Sequence, residues 1–207
     1  MLGGSWRREQ GYSSISGTSS SLNSNSPAGY RLDWKVLSPW LIAQAEAAVG
    51  TTLAFEGTHI YVSTDPASKA EAGLRDFAIN VLDRFPGVGV TIIERKPRNP
   101  PICPSCHKPI TSCPHCAAPM NRIVEKGVDT AIVTDIFKLV WENALEVIVL
   151  VSSDRDYIPA VQMLSAKGYR VINAHFPPKG MHLARTCWAS VDIEAGLAHL
   201  ERKPPAK

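Results

Sequence analysis

No apolar run in these 207 residues approaches the roughly 18 needed to span a bilayer, so the sequence offers no transmembrane helix. Arg7 and Arg8 near the N-terminus are followed by no apolar core, which argues against a secretory signal. Acidic residues are missing altogether between Glu9 and Asp33, and large apolar side chains are scarce over the same stretch. Residues 1–29 are instead rich in Ser, Gly and Asn, a composition that cannot offset the entropy of ordering. The segment is expected to be mostly disordered. Cysteine is sparse, five in all, and four of the five fall in two C-x-x-C pairs. Without a secretory signal, that spacing favours metal over disulfides. Neither sign of charge dominates: the net charge is +3 and the pI about 8.6, which permits an anionic partner without requiring one. With 44% hydrophobic residues the chain can bury one good core. The expectation is a soluble, cytoplasmic protein with one main domain.

From Arg31 onward, strands and helices alternate. Trp34, Leu37, Trp40, Leu41 and Ala45 recur at helical spacing, and Gly50 ends that helix. Residues 53–62 read as a strand, with Gly57 as a bulge, and residues 68–85 as a helix whose stripe includes Leu74, Phe77, Val81 and Phe85. A strand is predicted over 88–94, a loop over 96–126, a helix over 129–144 and a buried strand over 147–151. A helix over 158–167 stops at Gly168, a strand covers 170–174, and residues 181–199 hold one or two helices. The alternation predicts a three-layer α/β/α sandwich around a mainly parallel sheet. The domain is placed at 30–199 and a loose Lys-Pro-Pro tail at 200–207.

Ligands of open parallel sheets bind where strands end, and the strand Val147–Val151 ends in Ser152, Ser153, Asp154, Arg155 and Asp156. Two carboxylates at such an edge suit a hard cation, Mg²⁺ or Mn²⁺. Asp156 has an alternative role as N-cap of the helix that Pro159 opens. Ser152 and Ser153 either orient Asp154, bind a ligand oxygen or serve as turn residues. Asp129 starts a helix in which Ile132, Val133, Ile136 and Val140 mark the buried arc. At 100° per residue it lies inside that arc and points towards the sheet. The alternative is an acid favoured by the helix dipole. Asp135 lies at the rim of the same arc, either lining the site or marking its boundary.

Cys103, Cys106, Cys113 and Cys116 form two knuckles within an insertion at about 100–120, close enough to share one structural Zn²⁺. Disulfides are the alternative, and His107 and His115 are substitute ligands. Cys187 stands alone and reads as a small buried residue. Arg95, Lys96, Arg98, Lys108, Arg122 and Lys126 make a cationic rim around the knuckles, either a phosphate-binding surface or a merely basic loop. Trp34, Trp40 and Trp141 are expected to pack rather than stack on bases. His175 and Phe176 are expected to be turn residues.

The run from Lys126 to Asp135 (KGVDTAIVTD), followed by VLVSSDRDY from Val149 to Tyr157 and GYRV from Gly168 to Val171, resembles the NYN domain of the LabA/DUF88-like, PIN-like ribonucleases. The resemblance covers roughly residues 31–195. It implies a PIN-like fold whose carboxylates hold Mg²⁺ or Mn²⁺ to hydrolyse RNA phosphodiesters. Asp129, Asp154 and Asp156 match the acidic site on that pattern, and Asp135 matches the second aspartate of the helix motif. Lys126, Ser152 and Ser153 are then candidate substrate contacts.

One departure stands out. The family's first strand normally ends in an Asp-x-x-Asn type motif, and nothing before Arg31 reads like it. The expectation is therefore that the first strand is missing or divergent, through a truncated start or divergence, and that the site is short one carboxylate. The rival function is a catalytically incomplete module that binds RNA or protein, with protein partners or a homo-oligomer left open. A haloacid-dehalogenase-like reading of Asp154 and Asp156 is set aside. That motif stands near the N-terminus with Thr or Val two residues on, where this chain has Ile158.

Overall fold

A computed structural model describes residues 11–18, 30–120, 122–142 and 145–203, with backbone alone at 11–18, 97–98 and 122–124. The order of elements is β1 (Gly11–Thr18), α1 (Trp34–Val49), β2 (Leu53–Thr64), α2 (Lys69–Asn80), β3 (Val88–Glu94), β4 (Lys96–Arg98), β5 (Arg122–Val124), α3 (Val128–Trp141), β6 (Val147–Val151), α4 (Ile158–Ala166), β7 (Arg170–His175), α5 (Met181–Thr186), β8 (Ala189–Asp192) and α6 (Ile193–Leu200).

Six strands form one sheet in the order β3-β2-β1-β6-β7-β8, and every pairing in it is parallel. All five residues of β6 are buried, as a strand covered on both faces requires. Val147, Val149 and Val151 pack with α1 and α6 on one side. Ile148 and Leu150 pack with α3, α4 and α5 on the other. Ile60 and Val62 of β2 pack on α2. The result is the expected three-layer α/β/α arrangement. Local signals set the helix limits: the Asp33 carboxylate accepts the Lys35 N–H at the start of α1, and Gly50 adopts φ 78° to end it.

The structure corrects several expectations. The first strand is present: Gly11–Thr18 runs through the middle of the sheet, with Thr18 level with Tyr61 and Gly17 level with Val151. Its sequence is divergent, since it carries no acidic residue, but neither absence of the strand nor disorder over 11–18 holds. Backbone ladders on both sides order a segment whose side-chain pattern gives no strand signal. The disorder expected for 1–10 and 19–29 lies outside the described residues. The helix expected over 68–85 stops at Asn80 and continues as a 3-10 turn, Leu82–Arg84. The stretch 181–199 contains a sixth sheet strand, β8, besides two helices. The tail is pinned as far as Arg202: Leu32 bridges Glu201, and the Arg202 N–H donates to the Arg31 carbonyl at 2.7 Å. The loop 96–126 contains the antiparallel pair β4–β5 and two isolated bridges.

Candidate carboxylate site and cysteine arm

The carboxyl end of β6 is held before it turns. Asn173 of β7 is fully buried, and its amide donates to the carbonyls of Leu150 at 3.0 Å and Ser152 at 2.8 Å. The Ser152 hydroxyl, also buried, accepts the Asp154 N–H at 3.1 Å. Asp154 Oδ1 in turn accepts the Asp156 N–H at 2.9 Å, which starts the 3-10 turn Arg155–Tyr157. The capping role considered for Asp156 thus falls to Asp154; α4 itself has Tyr157 at its cap position and no side-chain cap bond. Both aspartates are exposed. Ser153 is half-buried beneath the turn before α5, where a Cβ on Gly180 would lie 3.0 Å from the Ser153 Cα.

The turn drives Tyr157 into the core at 1% exposure, packed with Val161 and Leu164. Its hydroxyl emerges to donate to Asp129 Oδ1 at 2.6 Å. Asp129 lies in the first turn of α3, exposed, and does not cap it: Gly127, at φ 95°, holds the cap position without a side-chain bond. Burial, the bond to Asp129 and the charges of Asp129, Asp154 and Glu125 all push the Tyr157 phenol above its ordinary range. Tyr157 thus links the turn that Asp154 caps to the first turn of α3, where Asp129 lies.

Asp135 sits apart, six residues further along α3, about 9 Å at 1.5 Å per residue. Half-buried, it accepts the hydroxyl of buried Tyr61 at 2.7 Å. Burial, then the bond and charge of Asp135, push the Tyr61 phenol up. Burial lowers His59, against the pull of Asp135 and Glu56. Asp135 therefore belongs to a tyrosine–histidine cluster on β2 rather than to the strand-end pair.

Mg²⁺ characteristically takes one or two protein carboxylates and completes its shell with water and phosphate oxygens. Asp129 and Asp154 are carboxylates of that kind, and both are exposed. Among the described residues, no group of three or more His, Cys, Asp or Glu is arranged to hold a metal. β1 brings no carboxylate to the edge.

Of the cationic rim, Lys96, Lys108 and Lys126 are exposed, whereas Arg95 pairs with Glu71 and donates to the Ser63 carbonyl. The side chains of Arg98 and Arg122 lie outside what is described. Trp34 and Trp40 pack on the core, but Trp141, expected to pack, is 88% exposed at the end of α3. His175 and Phe176 are buried, not turn residues; His175 closes β7 with Nδ1 2.8 Å from the Lys179 carbonyl. Burial pushes the half-buried Cys187 thiol up to about 12. Cys103 and Cys113 are half-buried and Cys106 and Cys116 exposed; all four are free thiols.

Sequence reasoning missed Tyr157, Tyr61, Asn173 and His59. Only Tyr157 left a usable trace, since Tyr157, Val161 and Leu164 recur at the i, i+4, i+7 spacing of a buried helix face.

Residues 101–193 match the NYN domain family model. The fold resembles the crystal structure of a protein of unknown function from Vibrio parahaemolyticus RIMD 2210633. That likeness has a TM-score of 0.52 at 12% identity and covers 91% of this chain and 96% of the other. No curated protein matches the chain. Among the described residues no helix is long and apolar enough to cross a membrane.

Proposed function

Starting from an NYN match that contains the whole strand-end site, we propose that this chain binds RNA and hydrolyses its phosphodiester bonds with Mg²⁺ or Mn²⁺. The observation that carries the reading is the 2.6 Å bond from the Tyr157 hydroxyl, on the turn that Asp154 caps, to Asp129 at the start of α3. A bound divalent ion lowers the pKa of water and neutralises charge at phosphorus. The chain's own part is positional. Ser152 and Asn173 hold the strand end, Asp154 follows it and caps the next turn, and Tyr157 on that turn bonds Asp129. Asp156, exposed on the same turn, is the third acidic candidate. Lys126, three residues before Asp129 and exposed, is the candidate phosphate contact, with Lys96 and Lys108 extending the cationic surface. Asp135, tied to Tyr61, is assigned a supporting role in α3.

One observation favours a second reading, an RNA- or protein-binding module without cleavage: β1 occupies the centre of the sheet yet contributes no carboxylate. An RNase assay with Mn²⁺ separates the two. Asparagine caps as well as aspartate, so Asp154→Asn is expected to fold with stability changed by less than about 0.5 kcal/mol and to lose cleavage. Undiminished cleavage by that variant would remove Asp154 from the mechanism. Thr18→Asp places a carboxylate at the end of β1 and is expected to raise Mn²⁺-dependent cleavage. If the parent binds RNA without cleaving it and Thr18→Asp cleaves, the chain is the non-catalytic module.

A further inference from the structure

The two cysteine pairs are a tandem structural repeat. Ten residues separate Cys103 from Cys113, Pro104 from Pro114, Cys106 from Cys116 and Pro109 from Pro119. The backbone repeats with the sequence. In the first unit the Cys103 N–H donates to the Lys108 carbonyl, and the His107 N–H to the Cys103 carbonyl, each at 2.9 Å. In the second, the Cys113 N–H donates to the Ala118 carbonyl at 2.8 Å and the Ala117 N–H to the Cys113 carbonyl at 2.9 Å. Each unit is closed by one bridge, Ile102 with Pro109 and Ser112 with Pro119. The residue after the second cysteine adopts the left-handed conformation in both, φ 55° at His107 and φ 57° at Ala117. Neither is glycine, so each turn is held against a conformational cost.

Little apolar burial is available to meet that cost. From Asn99 to Met120 no residue is fully buried, and Ile102 is 62% exposed. What both turns accomplish is to aim donors at sulfur. The backbone N–H groups of Ser105 and Cys106 donate to Cys103, with the Cys106 side chain also against it; those of His115 and Cys116, with the Cys116 side chain, do the same at Cys113. Donors turned onto paired sulfurs in an exposed loop are arranged for thiolates bound to a cation.

We propose that the two units together form one structural zinc site, with Cys103, Cys106, Cys113 and Cys116 as its four ligands. Each half is built separately, and no three metal-capable side chains are gathered among the described residues. The ion would join the two halves across the link from Lys108 to Ser112. Binding displaces the thiol protons and leaves no open coordination position, so the site anchors the arm between β4 and β5 and takes no part in hydrolysis.

The test is metal content of the full chain, purified under reducing conditions and read without RNA, so that it stands independently of any cleavage result. About one zinc per chain is expected, and replacement by Co²⁺ should give thiolate charge-transfer and tetrahedral ligand-field absorption. The Cys103→Ser/Cys106→Ser pair and the Cys113→Ser/Cys116→Ser pair should each abolish both signals. Zinc-free protein overturns the proposal, as does a thiol count in which Cys187 alone reacts because each C-x-x-C pair is oxidised. Full zinc occupancy in either double variant shows that the halves do not share the ion and equally overturns it.

Discussion

Tyr157→Phe isolates one oxygen atom. The ring stays in the core, where the residue is 1% exposed, so packing is conserved and only the 2.6 Å bond to Asp129 Oδ1 is lost. A buried hydrogen bond to a charged group contributes about 1.5–3 kcal/mol. Asp129 is exposed, and water replaces the hydroxyl in part, so the expected loss is about 1 kcal/mol. For a chain of this length that lowers Tm by roughly 2–4 °C. If the hydroxyl acts by fixing the Asp129 carboxylate, the same energy appears at the site. Cleavage at limiting Mn²⁺ should fall about five-fold, and the Mn²⁺ concentration giving half-maximal activity should rise. The assay is a double-mutant cycle of Tyr157→Phe with Asp129→Ala, read by thermal unfolding and Mn²⁺ titration. A coupling of about 1 kcal/mol is expected. Additivity within roughly 0.3–0.5 kcal/mol would refute the reasoning, because the hydroxyl would then stabilise the core without reference to Asp129.

Asn173→Leu keeps the volume but leaves the Leu150 and Ser152 carbonyls without their side-chain donor, at a cost of about 2–4 kcal/mol. Tm should drop by roughly 5–12 °C, with amide exchange accelerated over 152–156, and a wild-type Tm would show that the strand end is not held by this clamp. His59 carries a pH signature. Its folded pKa lies below its ordinary value, so as pH falls the unfolded chain takes up the proton first and stability is lost. Tm should therefore be level above about pH 7 and decline as pH drops through about 6.5 and below. His59→Gln should flatten that decline, and an unchanged slope in the variant would assign it to another group.

What the amino-acid sequence determines by itself is whatever depends on near neighbours along the chain. β6 is legible because five consecutive apolar residues can only be buried on both faces, and Asp33 and Gly50 mark the ends of α1 by their local backbone chemistry. The KGVD and SSDRD runs mark a candidate carboxylate site because both lie beside an element boundary. The C-x-x-C repeat is legible for the same reason, each knuckle closing within eight residues.

Tertiary structure decides what depends on distant partners. Gly11–Thr18 is a central strand although its side chains give no such signal, because β2 and β6 supply hydrogen bonds on both edges. β8 is a strand because β7 offers its free edge. Asp154 caps the turn and Asp156 does not, a distinction of backbone angles rather than residue type. Asp129 and Asp135 look equivalent on one helix, yet each is captured by a different tyrosine, 28 and 74 residues away in the chain. Those two hydroxyls separate the pair. Asp129 goes to the end of β6 and Asp135 to the face of β2, because a buried phenol must place its hydroxyl on a partner wherever the fold provides one.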